Sequence, residues 1–227
     1  MFANIPAGMF RSFLEGYGYF SEGLYPSSFE WQEFIVNFLG VAILAPIIEE
    51  FVFRGVIMSR LAKHGNGFAV VVSGLIFGLA HSDVVSVVFA TIVGLAFGWI
   101  YLKTGNLWVT IFVHFLNNAL AVLQEYYEFF LSEGQVNLFS TISYYGPMIL
   151  GLLALLVVLI GSRGRFFSLP KSPADQPSAS VYDQGSGYWD PSLKLGEGFS
   201  ALLRSPGIWL MVLSALLTTY LYSFPRL

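Results

Sequence analysis

The sequence predicts an all-α fold, a polytopic transmembrane helical bundle of about six membrane segments. Three observations predict it. Hydrophobic residues make up 56% of the 227-residue chain and charged residues only 11%, a mixture too apolar for a soluble domain to cover with a polar surface. The apolar residues fall in long runs separated by polar or Gly-containing turns. Ionisable residues recur inside those runs, where each costs about 2.5–3.5 kcal/mol on insertion scales and persists mainly by facing a protein interior or an aqueous cavity.

Taken in order, residues 1–32 mix Phe, Tyr and Trp with several acids and hold no long apolar run, so they read as an interfacial, partly helical N-terminal segment. No short apolar core with a small-residue cleavage site follows Arg11, so a signal peptide is not expected. Segment one, Phe34 to Leu61, is mostly apolar but carries Pro46, Glu49, Glu50, Arg54 and Arg60, and is long enough to cross about 30 Å of hydrocarbon with a tilt or kink. Segment two, Phe68 to His81, is short for a span and reads equally as a tilted or re-entrant element. Segment three runs from Val84 to Leu102, and segment four from Leu107 to Leu123 after the turn signal Thr104-Gly105-Asn106. Segment five spans Tyr144 to Ile160 and segment six Ile208 to Phe224. Residues 33–125 are thus the helical core that carries the polar motifs, 126–161 an additional transmembrane segment, and 206–227 a C-terminal transmembrane segment. Between the last two, residues 162–205 are rich in Pro, Ser, Gly, Asp and Gln and are expected to form a flexible cytoplasmic loop.

Charge placement sets the orientation. Arg60 and Lys63 follow segment one, Lys103 follows segment three, and Arg163, Arg165, Lys171, Lys194 and Arg204 follow segment five, all on one side. The opposite loops carry Asp83, Glu125, Glu128 and Glu133, so the positive-inside rule puts both termini outside the cytoplasm, with Arg11 and Arg226 dissenting. The 11 basic and 14 acidic residues nearly cancel and form no basic run, which argues against a nucleic-acid partner. The lipid bilayer is the expected surrounding, as for a multi-pass protein of the cell membrane. With no cysteine, disulfides, thiolate zinc sites and a cysteine nucleophile are excluded.

The buried ionisable residues carry the chemistry. Glu50 and Arg54 are four residues apart on one helix face, where a salt bridge offsets part of the burial cost of both. Glu49, about 100° away around the helix, has no cation three or four residues off in its own segment. A carboxylate left without a cation in apolar surroundings binds a proton more readily, which suits a general base. His114 and Asn118, four apart in segment four, project on one face, with Asn117 about 100° away and the weaker candidate. His81 ends the run Phe77-Gly78-Leu79-Ala80-His81, whereas His64 lies beside Gly65 and Asn66 in a basic loop and reads as a solvated surface residue. Each of these groups singly is explained by helix-to-helix bonding. A carboxylate, two imidazoles and an amide on three apolar segments look instead like an active site between helices. Peptide hydrolysis needs an activated water, oxyanion stabilisation and an acid for the leaving amine, and these residue types supply all three.

The ordered runs Glu49-Glu50-Phe51-Val52-Phe53-Arg54-Gly55, Phe77-Gly78-Leu79-Ala80-His81 and His114-Phe115-Leu116-Asn117-Asn118 resemble the three motifs of the CPBP (Abi) family, over roughly residues 35–125. That family comprises the type II CAAX prenyl endopeptidases and the bacteriocin-processing and immunity proteins. The resemblance implies an intramembrane endopeptidase acting on a membrane-associated or lipidated protein or peptide. It implies that Glu49 activates the water with help from His81, that His114 and Asn118 stabilise the oxyanion, and that Glu50, Arg54 and Phe77 support the site. Family members are often labelled metalloproteases. Two readings stay open: a glutamate-activated water with no cofactor, which is preferred, or a zinc ion held by Glu49, His81 and His114. Typical members also place further membrane helices before the first motif, where this sequence has residues 1–32.

Two other classes compete. One is a non-catalytic bacteriocin-immunity or membrane scaffold protein with the same fold. The other, ranked lower, is a proton or cation transporter whose buried glutamates and histidines line a path from one face to the other.

Overall fold

The computed structural model describes residues 3–19, 28–81, 83–162, 200 and 202–223, and the described secondary structure is helical throughout. The chain is an integral, multi-pass membrane protein. Helix α1 covers Asn4–Glu15, and α2 is a continuous helical stretch Trp31–His64. Then come α3 (Asn66–Leu79), α4 (Val84–Thr104), α5 (Leu107–Tyr126), α6 (Glu133–Ser162) and α7 (Pro206–Ser223). Among the described residues four helices, α2, α4, α5 with its 3₁₀ extension to Phe129, and α6, are long and apolar enough to cross a membrane. The other two apolar helices, α3 and α7, are shorter. Most of the loop expected at 162–205 lies outside the described residues.

Two boundaries and the setting of one histidine differ from the sequence reading. Helix α6 begins at Glu133, well before Tyr144, because the polar run 133–143 continues the same helix ahead of its apolar part. Helix α3 ends at Leu79, so His81 stands in the turn after the helix rather than on it. His64 is not freely solvated: it is half-buried, with its ring edge-on to Phe68 at 5.9 Å.

The chain divides into two compact units. The first takes in, among the described residues, 28–50 and 108–162. Its outer end is an aromatic cluster in which Phe29 lies within 6.2 Å, ring centre to ring centre, of Tyr126 and 4.6 Å of Phe130, while Phe34 lies 5.2 Å from Tyr126. Asn37 donates to Glu125 at 3.1 Å, and Phe38 meets Phe115 edge-on at 6.5 Å. Contacts that climb α2 descend α5, so the two run antiparallel, which brings the middle of each to the other. Gln124 donates to Ser143 at 3.0 Å and links α5 to α6. Leu150, Val157 and Ile160 of α6 stay 67–77% exposed, a surface suited to lipid rather than water.

The second unit takes in, among the described residues, 3–19, 51–107 and 202–223. Its centre is the pair α3 and α4, whose backbones approach through glycines: a Cβ on Gly94 would lie 3.1 Å from Gly74 Cα, and one on Gly74 would lie 2.9 Å from Leu95. In lipid, where apolar burial drives helices together weakly, such close approach supplies the dispersion contacts that hold a pair. Helix α1 lays Ala7, Phe10 and Leu14 against Val84, Val85, Val88 and Phe89 of α4.

Candidate active site

The backbone of α2 is irregular where the site residues sit. Two π-helical stretches, Phe38–Leu44 and Phe51–Met58, flank the six-residue α-helical piece Ala45–Glu50, which carries both carboxylates. Pro46 explains the first of them. Its ring has no N–H to donate, so the helix cannot keep a regular bonding pattern through it. Just before it, Ala45 donates to the Gly40 carbonyl five residues back. The next bond in that register would join residue 46 to Val41, and proline cannot make it. The Val41 carbonyl is instead taken by Asn118, whose Nδ2 donates to it at 2.9 Å. Asn117 Nδ2 in turn donates to Asn118 Oδ1 at 3.2 Å, which fixes the orientation of the Asn118 amide and leaves it a second N–H.

Glu50 and His114 are the buried heart of the first unit. The Glu50 side chain is fully enclosed, and its Oε1 accepts a hydrogen bond from His114 Nδ1 at 2.9 Å. The other ring nitrogen of His114, Nε2, faces the second carboxylate, with Glu49 Oε2 at 3.8 Å. That separation is too long for a direct hydrogen bond and short enough for one oxygen atom to touch both partners at normal distance. Glu49 is 30% exposed as a side chain, yet its Oε2 is buried and has no hydrogen-bond partner. A buried acceptor without a donor is costly, which points to a small polar guest beside it.

Arg54, Phe77 and His81 belong to the second unit. Arg54 is fully buried, donates from Nη2 to the Gly94 carbonyl at 2.9 Å, and sets its guanidinium over the rings of Phe77 at 4.7 Å and Phe97 at 5.5 Å. Phe77 also meets Phe53 at 5.0 Å and His81 at 4.9 Å, so one ring braces an arginine, a neighbouring helix and a histidine. His81 is exposed; its Nδ1 donates to the Phe77 carbonyl at 2.8 Å, leaving Nε2 with a lone pair.

Spacing within one helix suggested Glu50 for Arg54; it could not reveal that Glu50 reaches His114, 64 positions away. Sequence reasoning likewise missed the Val41 carbonyl, for which a proline inside a membrane helix next to a polar pair was the available signal. Among the described residues no group of three His, Cys, Asp or Glu side chains is placed to share a metal ion.

Residues 31–120, which include all three polar motifs, match the family described as Type II CAAX prenyl endopeptidase Rce1-like. This segment is an Rce1-like domain. Two curated relatives match much the same share of the chain. The Rce1-like domain is similar to the protein described as "Putative membrane peptidase YdiL" of Bacillus subtilis (strain 168), 35% identical over 85 residues, 37% of this chain and 35% of that protein. It is also similar to the membrane-embedded CAAX protease MroQ of Staphylococcus aureus (strain USA300), 39% identical over 90 residues, 37% of this chain and 36% of that protein. The matching stretch therefore spans about a third of the length of each of these relatives. No solved structure matches the chain.

Proposed function

We propose that the protein is an intramembrane endopeptidase that hydrolyses a peptide bond in a membrane-associated or lipidated protein or peptide. The observation that carries this reading is His114 standing between two carboxylates, bonded to one and 3.8 Å from the bare oxygen of the other. In the proposed reaction Glu49 Oε2 takes a proton from a water molecule as the water oxygen attacks the scissile carbonyl carbon. The carbonyl electron pair moves onto its oxygen. His114, held at Nδ1 by Glu50, donates to this oxyanion from Nε2–H when its ring carries both protons, with the second N–H of Asn118 as the other donor. When the carbonyl re-forms, the amine leaves and takes the proton back from Glu49, so water is consumed and the base regenerated. By resemblance His81 orients the same water, and its Nε2 lone pair is what that role requires. The exposed apolar side chains of Ile47 and Ile48 just before Glu49 favour a substrate held by the membrane.

The test uses the purified protein in detergent with a fluorophore–quencher peptide ending in a prenylated CAAX-type sequence, and with the same peptide unprenylated. Cleavage in ¹⁸O-labelled water is expected to place one labelled oxygen in the new carboxyl group, with the prenylated peptide favoured. Both peptides remaining intact beside folded protein would overturn the reading in favour of an immunity or scaffold role.

A further inference from the structure

His81 follows α3 closely, and two distant parts of the chain are tied to the start of α4, at Asp83 and Val84. Asp83 is the joint. Its Oδ2 accepts from the Ser86 N–H at 2.9 Å and caps α4, while its own N–H donates to the His81 carbonyl at 2.7 Å. The His81 N–H continues the chain of bonds to the Gly78 carbonyl at 2.9 Å. The remaining oxygen, Oδ1, accepts the phenol O–H of Tyr19 at 2.9 Å, from 64 positions away. One residue on, the Val84 N–H donates to Thr219 of α7 at 2.8 Å.

Tyr19 is fully buried in a cluster with Ala7 and Val85, where phenylalanine would pack as well. A buried hydroxyl is costly without a partner, and here it donates to the capping carboxylate. Its own backbone is fixed to α1: the Tyr19 N–H donates to the Leu14 carbonyl at 3.1 Å, and Gly18, at φ 88°, makes the left-handed turn that allows it. Both Asp83 oxygens are thus engaged, so the carboxylate cannot rotate, and any shift of Asp83 passes through a 2.7 Å bond to the backbone of His81.

We propose that Tyr19 is a positioning residue that sets His81 through the carboxylate of Asp83, so that the N-terminal helix tunes the site from outside the matched domain. This rests on the reading of His81 as the residue that orients the water. The phenol leaves imidazole chemistry untouched; it holds the turn in the one place from which the ring keeps its Nδ1–H bond to Phe77 and offers Nε2. Misplacement of such a group by a fraction of an ångström is enough to slow the chemical step.

The experiment measures kcat and KM on the prenylated fluorophore–quencher peptide for Tyr19→Phe, His81→Ala and the double variant, normalised to folded protein. In parallel, ¹⁵N spectra of the histidine rings report the His81 tautomer in detergent. The expected result is that Tyr19→Phe lowers kcat about tenfold at unchanged KM, that the loss disappears in the His81→Ala background, and that the His81 signal changes from one Nδ1–H tautomer to a mixture. An equal loss with and without His81, or kcat and His81 signals identical to wild type in Tyr19→Phe, would overturn the proposal. If His81→Ala keeps full kcat, or no peptide is cleaved, the reading of the site fails instead. The ring spectra then decide the clamp alone, an unchanged His81 signal in Tyr19→Phe refuting it.

Discussion

Glu50 Oε1 and His114 Nδ1 are 2.9 Å apart, a charge-assisted bond between two side chains that the lipid-facing helices α2 and α5 bury almost completely. Glu50→Gln keeps the shape and removes the charge. It is expected to lower stability by about 1.5–3 kcal/mol, the usual range for a hydrogen bond to a charged group. It should also lower turnover, since an amide can turn its N–H toward His114 Nδ1 and release the ring from its place. Thermal unfolding in detergent beside turnover per folded molecule checks both; unchanged stability would mean the bond contributes little.

Pro46→Ala restores an N–H that competes with Asn118 for the Val41 carbonyl. The helix becomes more regular, so the melting temperature is expected to hold or rise, while kcat falls about 10- to 100-fold as Asn118 loses its anchor. Stability and activity moving in opposite directions is the signature to look for. A parallel loss of both would show that Pro46 serves packing alone.

Gly78→Ala is expected to destabilise the α3–α4 pair by about 1–3 kcal/mol. The added methyl would overlap Thr91 Oγ1 and lie 2.8 Å from the Val87 carbonyl oxygen. Gly8→Ala on α1, where a Cβ meets nothing within 4 Å, is the control and should be neutral or slightly stabilising. Unfolding midpoints of the two variants decide it.

Arg54→Ala removes a buried guanidinium from the Gly94 carbonyl and from two aromatic rings. A loss of about 3 kcal/mol or more is expected, with turnover per folded molecule within a few-fold of wild type. A fully stable but inactive variant would instead make Arg54 part of the chemistry.

Much of this architecture is legible in the sequence because the bilayer imposes a simple rule. Apolar runs must be helices, and their lengths set the spans, so α4 and α5 emerge within a few residues of their observed ends. Glu49, Glu50, His114 and Asn118 stand out as candidates because polar groups in such runs need a reason. Their partners are not legible. Helical periodicity relates residues three or four apart, whereas the bonds of Glu50 with His114, Asn118 with Val41 and Tyr19 with Asp83 join residues 64 or more positions apart. The start of α6 was missed for the opposite reason, since its first turns are too polar to resemble a membrane segment although they belong to the same helix.

In the proposed reaction Glu49 is the base. Its Oε2 is buried without a hydrogen-bond partner and lies 3.8 Å from His114 Nε2. The direct measurement is cleavage of the prenylated peptide by purified Glu49→Gln, with Asn118→Ala and His64→Ala alongside. The amide cannot take a proton from water, so Glu49→Gln is expected to show no cleavage at wild-type stability. Asn118→Ala should keep a residue of activity, about 100- to 1,000-fold below wild type, and His64→Ala should match wild type. Near-wild-type turnover by Glu49→Gln would contradict the account.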